Sequence, residues 1–175
     1  MNIMDTLIRI LGVGNVLTAD DGLGPTVIKR LEAKFTFPEN VEVIDVGTPG
    51  LDFTPYLAGA RAVLVVDTVR GSEAPGTLKV WRDEELLSAP PIARTNPHEP
   101  GLREALMATE LTDSSPGEIV LIGVVPETVV AGTRLSPSVK NAIDAVERRI
   151  FEELDRLGVT AQRRENPGAP DLWWV

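Results

Sequence analysis

The chain contains no cysteine and only one histidine among its 175 residues. The lack of cysteine excludes disulfides, thiolate metal ligands and a cysteine nucleophile. With a single imidazole, His98, a metal site that needs two histidines is excluded as well. No apolar stretch approaches the length of a transmembrane helix. Acid-base or metal chemistry in this chain must therefore depend mainly on carboxylates.

Positive charge is also scarce, since 17 Lys and Arg stand against 26 Asp and Glu, for a formal net charge of -9. A surface of this sign repels phosphate backbones and anionic headgroups, which argues against nucleic-acid and membrane partners. The N-terminal MNIMDTLIRI lacks the basic region, long apolar run and cleavage site of a signal peptide. We therefore expect a cytoplasmic protein, and a monomer.

The hydrophobic content of 43% suits one domain with a sizeable core. We expect a single α/β domain over residues 1–163 and a Pro-rich tail over residues 164–175. The tail has no periodic pattern, so we expect it to be mobile unless Trp173 and Trp174 dock against the domain.

Apolar runs of strand length alternate with helical patterns, which favours an α/β fold with a mostly parallel sheet. A shorter alternating run, Thr77–Trp81, predicts an antiparallel edge strand. The segment Asp83–Pro100 has four prolines and no period, which predicts a long surface loop that contains His98. The other predicted strands are Leu7–Gly12, Val41–Val46, Ala62–Asp67 and Ile119–Val125, and the predicted helices begin near Gly24, Leu51, Gly101 and Ser136.

The stretch Leu7–Gly24 runs from a buried strand through an acidic loop into a helix. Open α/β sheets usually place their catalytic and binding residues in a loop of this kind, where a strand is followed by a helix. A dinucleotide-binding turn is one alternative, but Leu17 stands where its third glycine is needed and two adjacent aspartates would repel phosphate. In the other alternative, Asp20 and Asp21 only cap the following helix.

Three potential metal ligands follow predicted elements: Asp21 after the first strand, Asp67 at the end of the third and His98 in the proline-rich loop. Two carboxylates and an imidazole at one sheet edge would suit a divalent transition metal such as nickel or zinc, with positions left open for a substrate. Alternatively, Asp67 caps a turn and His98 is an ordinary loop residue. No serine lies in a nucleophile-elbow pattern, which argues against Ser-His-Asp catalysis.

Five short motifs run in order through most of the chain. They are GVGNVLTADDGLG (12–24), DVGTPG (45–50), VVDTV (65–69), NPHEPGL (96–102) and GVVPE (123–127). Together they resemble the hydrogenase maturation endopeptidases, the nickel-dependent C-terminal processing proteases of [NiFe] hydrogenase large subunits. The tail beyond Arg163 lies outside the resemblance.

This resemblance implies a three-layer α/β/α sandwich around a twisted sheet. It also implies that the catalytic, metal-contacting residues are Asp21, Asp67 and His98. Asp45 is expected to support the site rather than to bind the metal. Three residues of the first motif are expected to support the site as well: Gly12, Gly14 and Asn15.

The implied partner is the precursor of a [NiFe] hydrogenase large subunit, which would bring the nickel with it and lose a C-terminal extension. A metal placed at the scissile peptide would polarise its carbonyl and acidify a bound water, and a carboxylate would take the proton. A carboxylate pair acting alone, with nickel only as a recognition mark, is an open alternative. So are two other functions: a non-catalytic nickel- or precursor-binding chaperone, and a nucleotide- or small-ligand-binding α/β protein.

Overall fold

A mostly parallel β-sheet forms the centre of the computed structural model, which describes residues 6–49, 53–88 and 101–175. Its strand order is β3-β1-β4-β6-β5, and among the described strands of this sheet only β5 runs antiparallel to its neighbour. This confirms the predicted antiparallel edge strand. The described strands are β1 (Ile8–Val13), β2 (Phe35–Thr36), β3 (Val41–Gly47), β4 (Ala62–Thr68), β5 (Leu78–Arg82), β6 (Ile119–Val124) and β7 (Gln162–Arg163).

Helices cover both faces of this sheet. The longest begins as its sequence predicts, because the Ser136 hydroxyl accepts a hydrogen bond from the Val139 N–H at 3.3 Å and Pro137 occupies the first turn. It ends just before Gly158, whose φ is +75°. The described helices are α1 (Leu23–Lys34), α2 (Thr54–Leu57), α3 (Glu85–Ser88), α4 (Leu102–Leu111) and α5 (Pro137–Arg156).

Two apolar cores, one on each face of the sheet, make the molecule a three-layer α/β/α sandwich. Ile8 and Ile10 of β1 point into the core under α1 and α5, whereas Leu11 and Val13 point into the core under α2, α3 and α4. Every residue of β4 is buried, as expected for a strand covered on both faces. The predicted fold class is confirmed. No helix in the described ranges is both long and apolar enough to cross a bilayer.

The connections reverse direction at β1, which pairs with β3 on one side and with β4 on the other. The chain leaves β1 through α1 toward β3 and then returns past β1 through α2 to β4. In open α/β sheets this change of direction opens a crevice beyond the carboxyl ends of the two central strands. The fold therefore places the loop after β1 beside the end of β4.

Ion pairs attach α5 to its neighbours. The buried carboxylate of Glu153 accepts hydrogen bonds from Arg156 at 2.9 Å and from both terminal nitrogens of Arg82 on β5. Arg149 pairs with the same carboxylate at 2.7 Å. Arg149 and Arg156 lie on α5 itself, so it is the pair with Arg82 of β5 that holds α5 against the antiparallel edge of the sheet.

Two predictions about element boundaries need correction, and a third is not tested. Apolar residues of the first predicted helix recur at helical spacing as far as Phe35, but the helix ends at Lys34, and Phe35 instead pairs with Arg163 in a short antiparallel ladder. The predicted loop from Asp83 begins with the helical turn α3, because Leu86 is buried in the core. Leu51, which is predicted to belong to the second helix, lies outside the described residues, and the described helix in this region is Thr54–Leu57.

Candidate active site

The loop between β1 and α1 is folded tightly over two glycines. At Gly14, φ is +140°, and a Cβ would collide with the carbonyl oxygen of Asp21. A Cβ at Gly12 would strike the carbonyl of Gly24 at the start of α1. Both glycines thus let the backbone pack closely against the chain's own backbone, Gly14 against the 3₁₀ turn Ala19–Gly22 and Gly12 against the start of α1, rather than leaving room for the backbone to approach a pyrophosphate. This geometry argues against the dinucleotide-binding alternative.

Asn15 continues the turn. Its side-chain Oδ1 accepts a hydrogen bond from the Leu17 N–H at 2.9 Å, and its carbonyl accepts one from the Thr18 N–H at 3.0 Å. Its own backbone N–H donates to Oδ2 of Asp21 at 2.8 Å. Asn15 therefore shapes the loop and also orients one of the predicted ligands.

Asp21 is 4% exposed and points toward the neighbouring strand β4. While its Oδ2 is bound by the Asn15 N–H, its Oδ1 accepts a hydrogen bond from the Thr68 hydroxyl at 3.1 Å. The α1 N-cap is Gly22, without a side-chain cap. The capping alternative is therefore wrong for Asp21, since the carboxylate is directed across the sheet edge.

Asp67 is 1% exposed and lies at the carboxyl end of β4, one residue before Thr68. Its Oδ1 accepts a hydrogen bond from the Thr68 backbone N–H at 2.7 Å. Thr68 thus contacts both acids, the first through its hydroxyl and the second through its amide. The structure brings Asp21 and Asp67 together at the crevice between β1 and β4, although their catalytic roles stay predictions.

Asp20 has a different environment from its neighbour. It is 0% exposed, and its Oδ2 accepts hydrogen bonds from the Glu127 N–H at 2.8 Å and the Thr128 N–H at 3.0 Å. Ser136 donates its N–H to Oδ1 at 2.6 Å and its hydroxyl to Oδ2 at 2.9 Å. Asp20 therefore attaches the acidic loop to the segment that joins β6 to α5, and it does not cap α1.

Sequence reasoning missed the roles of Asp20 and Thr68. The signal for Thr68 was a hydroxyl directly after the acid in VVDTV, and for Asp20 it was a second acid beside the predicted ligand. Neither pattern identifies the hydrogen-bond partners of these two side chains, because those partners come from distant parts of the chain.

Asp45 lies on β3, next to β1 at the edge of the candidate active site. It is opposite Gly12 in the β1–β3 ladder, where the register shifts by one residue. Its exposed carboxylate accepts a hydrogen bond from the Gly47 N–H at 3.0 Å through Oδ1. Next to it is a cavity of about 210 Å³, bounded by loops after β1 and β3, the first turn of α1 and the C-terminal tail. The cavity-lining residues are Gly14, Asn15, Val16, Pro25, Asp45, Gly47, Thr48, Trp173 and Trp174.

The third predicted ligand, His98, lies outside the described residues. Within the described ranges, no three side chains of His, Cys, Asp or Glu are grouped so that they could hold a metal ion. Asp21 and Asp67 would offer a metal two carboxylates that both contact Thr68, a hard oxygen donor set. The metal-binding roles of Asp21, Asp67 and His98 stay predictions.

Comparison with known proteins places these features in a family. Residues 25–153 match the family model described as hydrogenase maturation protease. The hydrogenase 2 maturation protease of Escherichia coli (strain K12) is 33% identical over 162 residues, which cover 90% of this chain and 96% of the relative. The chain belongs to the hydrogenase maturation protease family. The family resemblance found in the sequence motifs is thereby confirmed.

Other relatives of this protease family agree in sequence and fold. The hydrogenase expression/formation protein HupD of Bradyrhizobium diazoefficiens is 33% identical over 93% of this chain and 85% of its own length. The solved structure of the hydrogenase maturating endopeptidase HybD from E. coli superposes with a TM-score of 0.82 at 32% identity, and the match covers 90% of this chain and 98% of that one. The matched family segment contains Asp45, Asp67 and His98, whereas Asp21 precedes it.

Proposed function

We propose that this maturation protease removes a C-terminal extension from the nickel-loaded precursor of a [NiFe] hydrogenase large subunit. The observation that carries the proposal is that Asp21, in the 3₁₀ turn after β1, and Asp67, at the end of β4, are buried carboxylates that both accept a hydrogen bond from Thr68. Buried acids brought to the open edge of an α/β sheet are what a hydrolase needs to bind a metal or to move a proton. Family membership and the five sequence motifs support the same activity.

In this proposal nickel is cargo of the substrate, and Asp21, Asp67 and His98 contact it through its open coordination positions. A metal at that point would polarise the scissile carbonyl and lower the pKa of a bound water. The chain supplies carboxylate oxygens for the metal and a proton acceptor for the water. Hydrogen bonds from Asn15 and Thr68 fix the Asp21 carboxylate, so that it does not need to reorganise when the substrate arrives.

The decisive experiment is mass spectrometry of a [NiFe] hydrogenase large-subunit precursor from the same organism after incubation with this protein. We expect loss of a C-terminal peptide from the nickel-loaded precursor and no loss from the nickel-free form. Cleavage of both forms would overturn the nickel dependence and leave the carboxylate pair sufficient for hydrolysis. If the precursor bound tightly but neither form were cleaved, the chaperone alternative would replace the proposal.

Three variants test whether the predicted site residues are needed for processing: Asp21→Asn, Asp67→Asn and His98→Ala. Each should abolish processing, and His98→Ala should do so without loss of stability, because a loop histidine contributes little to a core. The matched control is Asp144→Asn, which removes the same charge from a largely exposed side chain on α5. Retained cleavage by His98→Ala would contradict its role as a metal contact.

A further inference from the structure

The C-terminal tail does not hang free but follows α1 back along its length. It leaves the β2–β7 ladder at Arg163, and the Arg164 N–H then donates to the Lys34 carbonyl at 2.8 Å at the end of α1. The tail reaches the first turn of α1 at its other end, where Trp173 and Trp174 lie beside Pro25. The sequence predicts a mobile tail unless its tryptophans dock against the domain. Trp174 is docked, with only 8% of the residue exposed, so the tail is held in place.

The docked tail forms a wall of the cavity next to Asp45 without filling it. The remaining volume of about 210 Å³ is smaller than the 300–1,000 Å³ typical of pockets for whole small-molecule ligands, so it suits a single side chain. The same cavity is lined by Gly14 and Asn15, and the Asn15 N–H is bonded to Asp21 at 2.8 Å. A side chain in this cavity, which we call the tail pocket, would belong to a peptide that passes the candidate active site.

Carboxylates outnumber basic groups around Lys29, whose charge interacts with that of Asp45 in the tail pocket. Lys29 on α1 is hydrogen bonded to Glu32 at 2.9 Å, a bond that is the main cause of its raised pKa, although burial opposes the rise. Asp45 and Asp171 raise the pKa of Lys29 further through their charges. One lysine thus stands among three carboxylates, and its ammonium is already engaged by Glu32.

Indole rings and a carboxylate line this one cavity, and both kinds of group can recognise a cation. The face of an indole attracts ammonium and guanidinium groups more strongly than the other aromatic rings do. Asp45 adds a counter-charge, with one oxygen fixed by the Gly47 N–H and capacity to accept further hydrogen bonds. Trp173, 72% exposed, and Trp174 provide the aromatic surface.

We propose that the tail pocket binds a lysine or arginine side chain of the substrate peptide, with Trp173 and Trp174 as its wall and Asp45 as its counter-charge. The identity of the substrate rests on the proposed function, whereas cation binding by the pocket does not. The tail thereby acts as a specificity element that lies beyond the matched family segment, which ends at residue 153.

Cation binding can be tested by NMR on the intact protein with N-acetyl-arginine amide as the probe. The neutral control is N-acetyl-citrulline amide, which has the same shape without the charge. The chain has three tryptophans, and Trp81 on β5 is not part of the pocket and serves as an internal reference. We expect saturable shifts of the Trp173 and Trp174 indole N–H signals with the arginine probe, and about tenfold weaker binding of the citrulline probe.

Two variants tie the binding to the named residues. Asp45→Asn should weaken arginine binding about tenfold, whereas Glu110→Gln, which removes an exposed charge from α4 on the opposite face, should leave it unchanged. Trp173→Ala should weaken binding about threefold through loss of the cation–π contact, with little effect on the fold because the side chain is exposed. Equal binding of the two probes, or equal shifts of all three indoles, would overturn the proposal.

The precursor assay then separates this proposal from the proposed function. If wild-type protein cleaves no precursor but the probes behave as expected, the function fails and the cation pocket stands. If wild-type protein cleaves the precursor, Asp45→Asn should raise KM about tenfold, since the lost contact is made in the bound substrate. Unchanged KM in that variant would contradict a role of the pocket in substrate binding.

Discussion

Thr68 on β4 donates its side-chain hydroxyl to Asp21 at 3.1 Å, a hydrogen bond that joins residues 47 positions apart. Through its backbone N–H, the same threonine also binds Asp67 at 2.7 Å. A single buried residue therefore helps to fix the relative placement of two acids, one in the 3₁₀ turn after β1 and one at the end of β4. The geometry of the candidate active site depends on this hydroxyl although Thr68 itself is not expected to touch the substrate.

Replacing Thr68 with valine removes the hydroxyl and keeps the shape of the side chain. Because a hydrogen bond to a charged group contributes about 1.5–3 kcal/mol, we expect processing of the precursor to slow at least about tenfold. The measurement is the rate of C-terminal cleavage well below the unfolding temperature. Thr68→Ser retains the hydroxyl and should restore most of the rate, and a valine variant as active as wild type would contradict the positioning role.

Asp20→Asn should destabilise the protein without touching the reacting groups. The carboxylate accepts four hydrogen bonds from Glu127, Thr128 and Ser136, and an amide nitrogen placed there would face donors instead. We expect a loss of about 3 kcal/mol in the free energy of unfolding, with a Tm lower by roughly 6–12 °C. Denaturant and thermal unfolding measure this loss, and the exposed Asp144→Asn change should have almost no effect.

The sequence predicts the main strands well for a physical reason. Strand β4 is buried on both faces, so its whole length is apolar and its end is marked by Asp67. The two-residue β2–β7 ladder leaves no such periodic pattern, and Phe35 therefore continues the helical pattern of α1 in the sequence. Elements short enough to lack a period are formed by tertiary contacts alone.

In the candidate site, too, some features can be predicted from the sequence and others cannot. Parallel strands expose their carboxyl ends at one edge of the sheet, and this rule predicts that Asp21 and Asp67 lie at the same edge. The role of Asp20 does not follow, because its partners lie 107 to 116 residues further along the chain. Docking of Trp174 is likewise decided by the path of the tail along α1, which no local pattern encodes.

Gly14→Ala should be far more damaging than an alanine at another left-handed glycine. At Gly14, a Cβ would collide with the Asp21 carbonyl in addition to the cost of a φ of +140°. Gly158 has a φ of +75° with no atom within 4 Å of a Cβ, so Gly158→Ala carries only the conformational cost of about 1 kcal/mol. We expect Gly14→Ala to lose at least about 3 kcal/mol of unfolding free energy and most processing activity. Similar stabilities of the two variants would show that the loop can shift to admit a side chain.

Glu153 makes stability depend on pH in a predictable direction. Burial by itself would raise its pKa, but hydrogen bonds from Arg82 and Arg156 and the nearby charge of Arg149 hold the pKa below its ordinary value of 4.5. The ionised acid is therefore favoured by folding, so its stabilisation is complete above about pH 4.5 and is lost as the pH falls through the folded-state pKa.

Glu153→Gln should lower the free energy of unfolding by about 2 kcal/mol at pH 7 and by much less at acidic pH. Denaturant titrations at both pH values test this, with the more exposed Glu152→Gln on the same helix as control. A difference between wild type and Glu153→Gln that stays constant with pH would mean that the three arginines do not favour the ionised form.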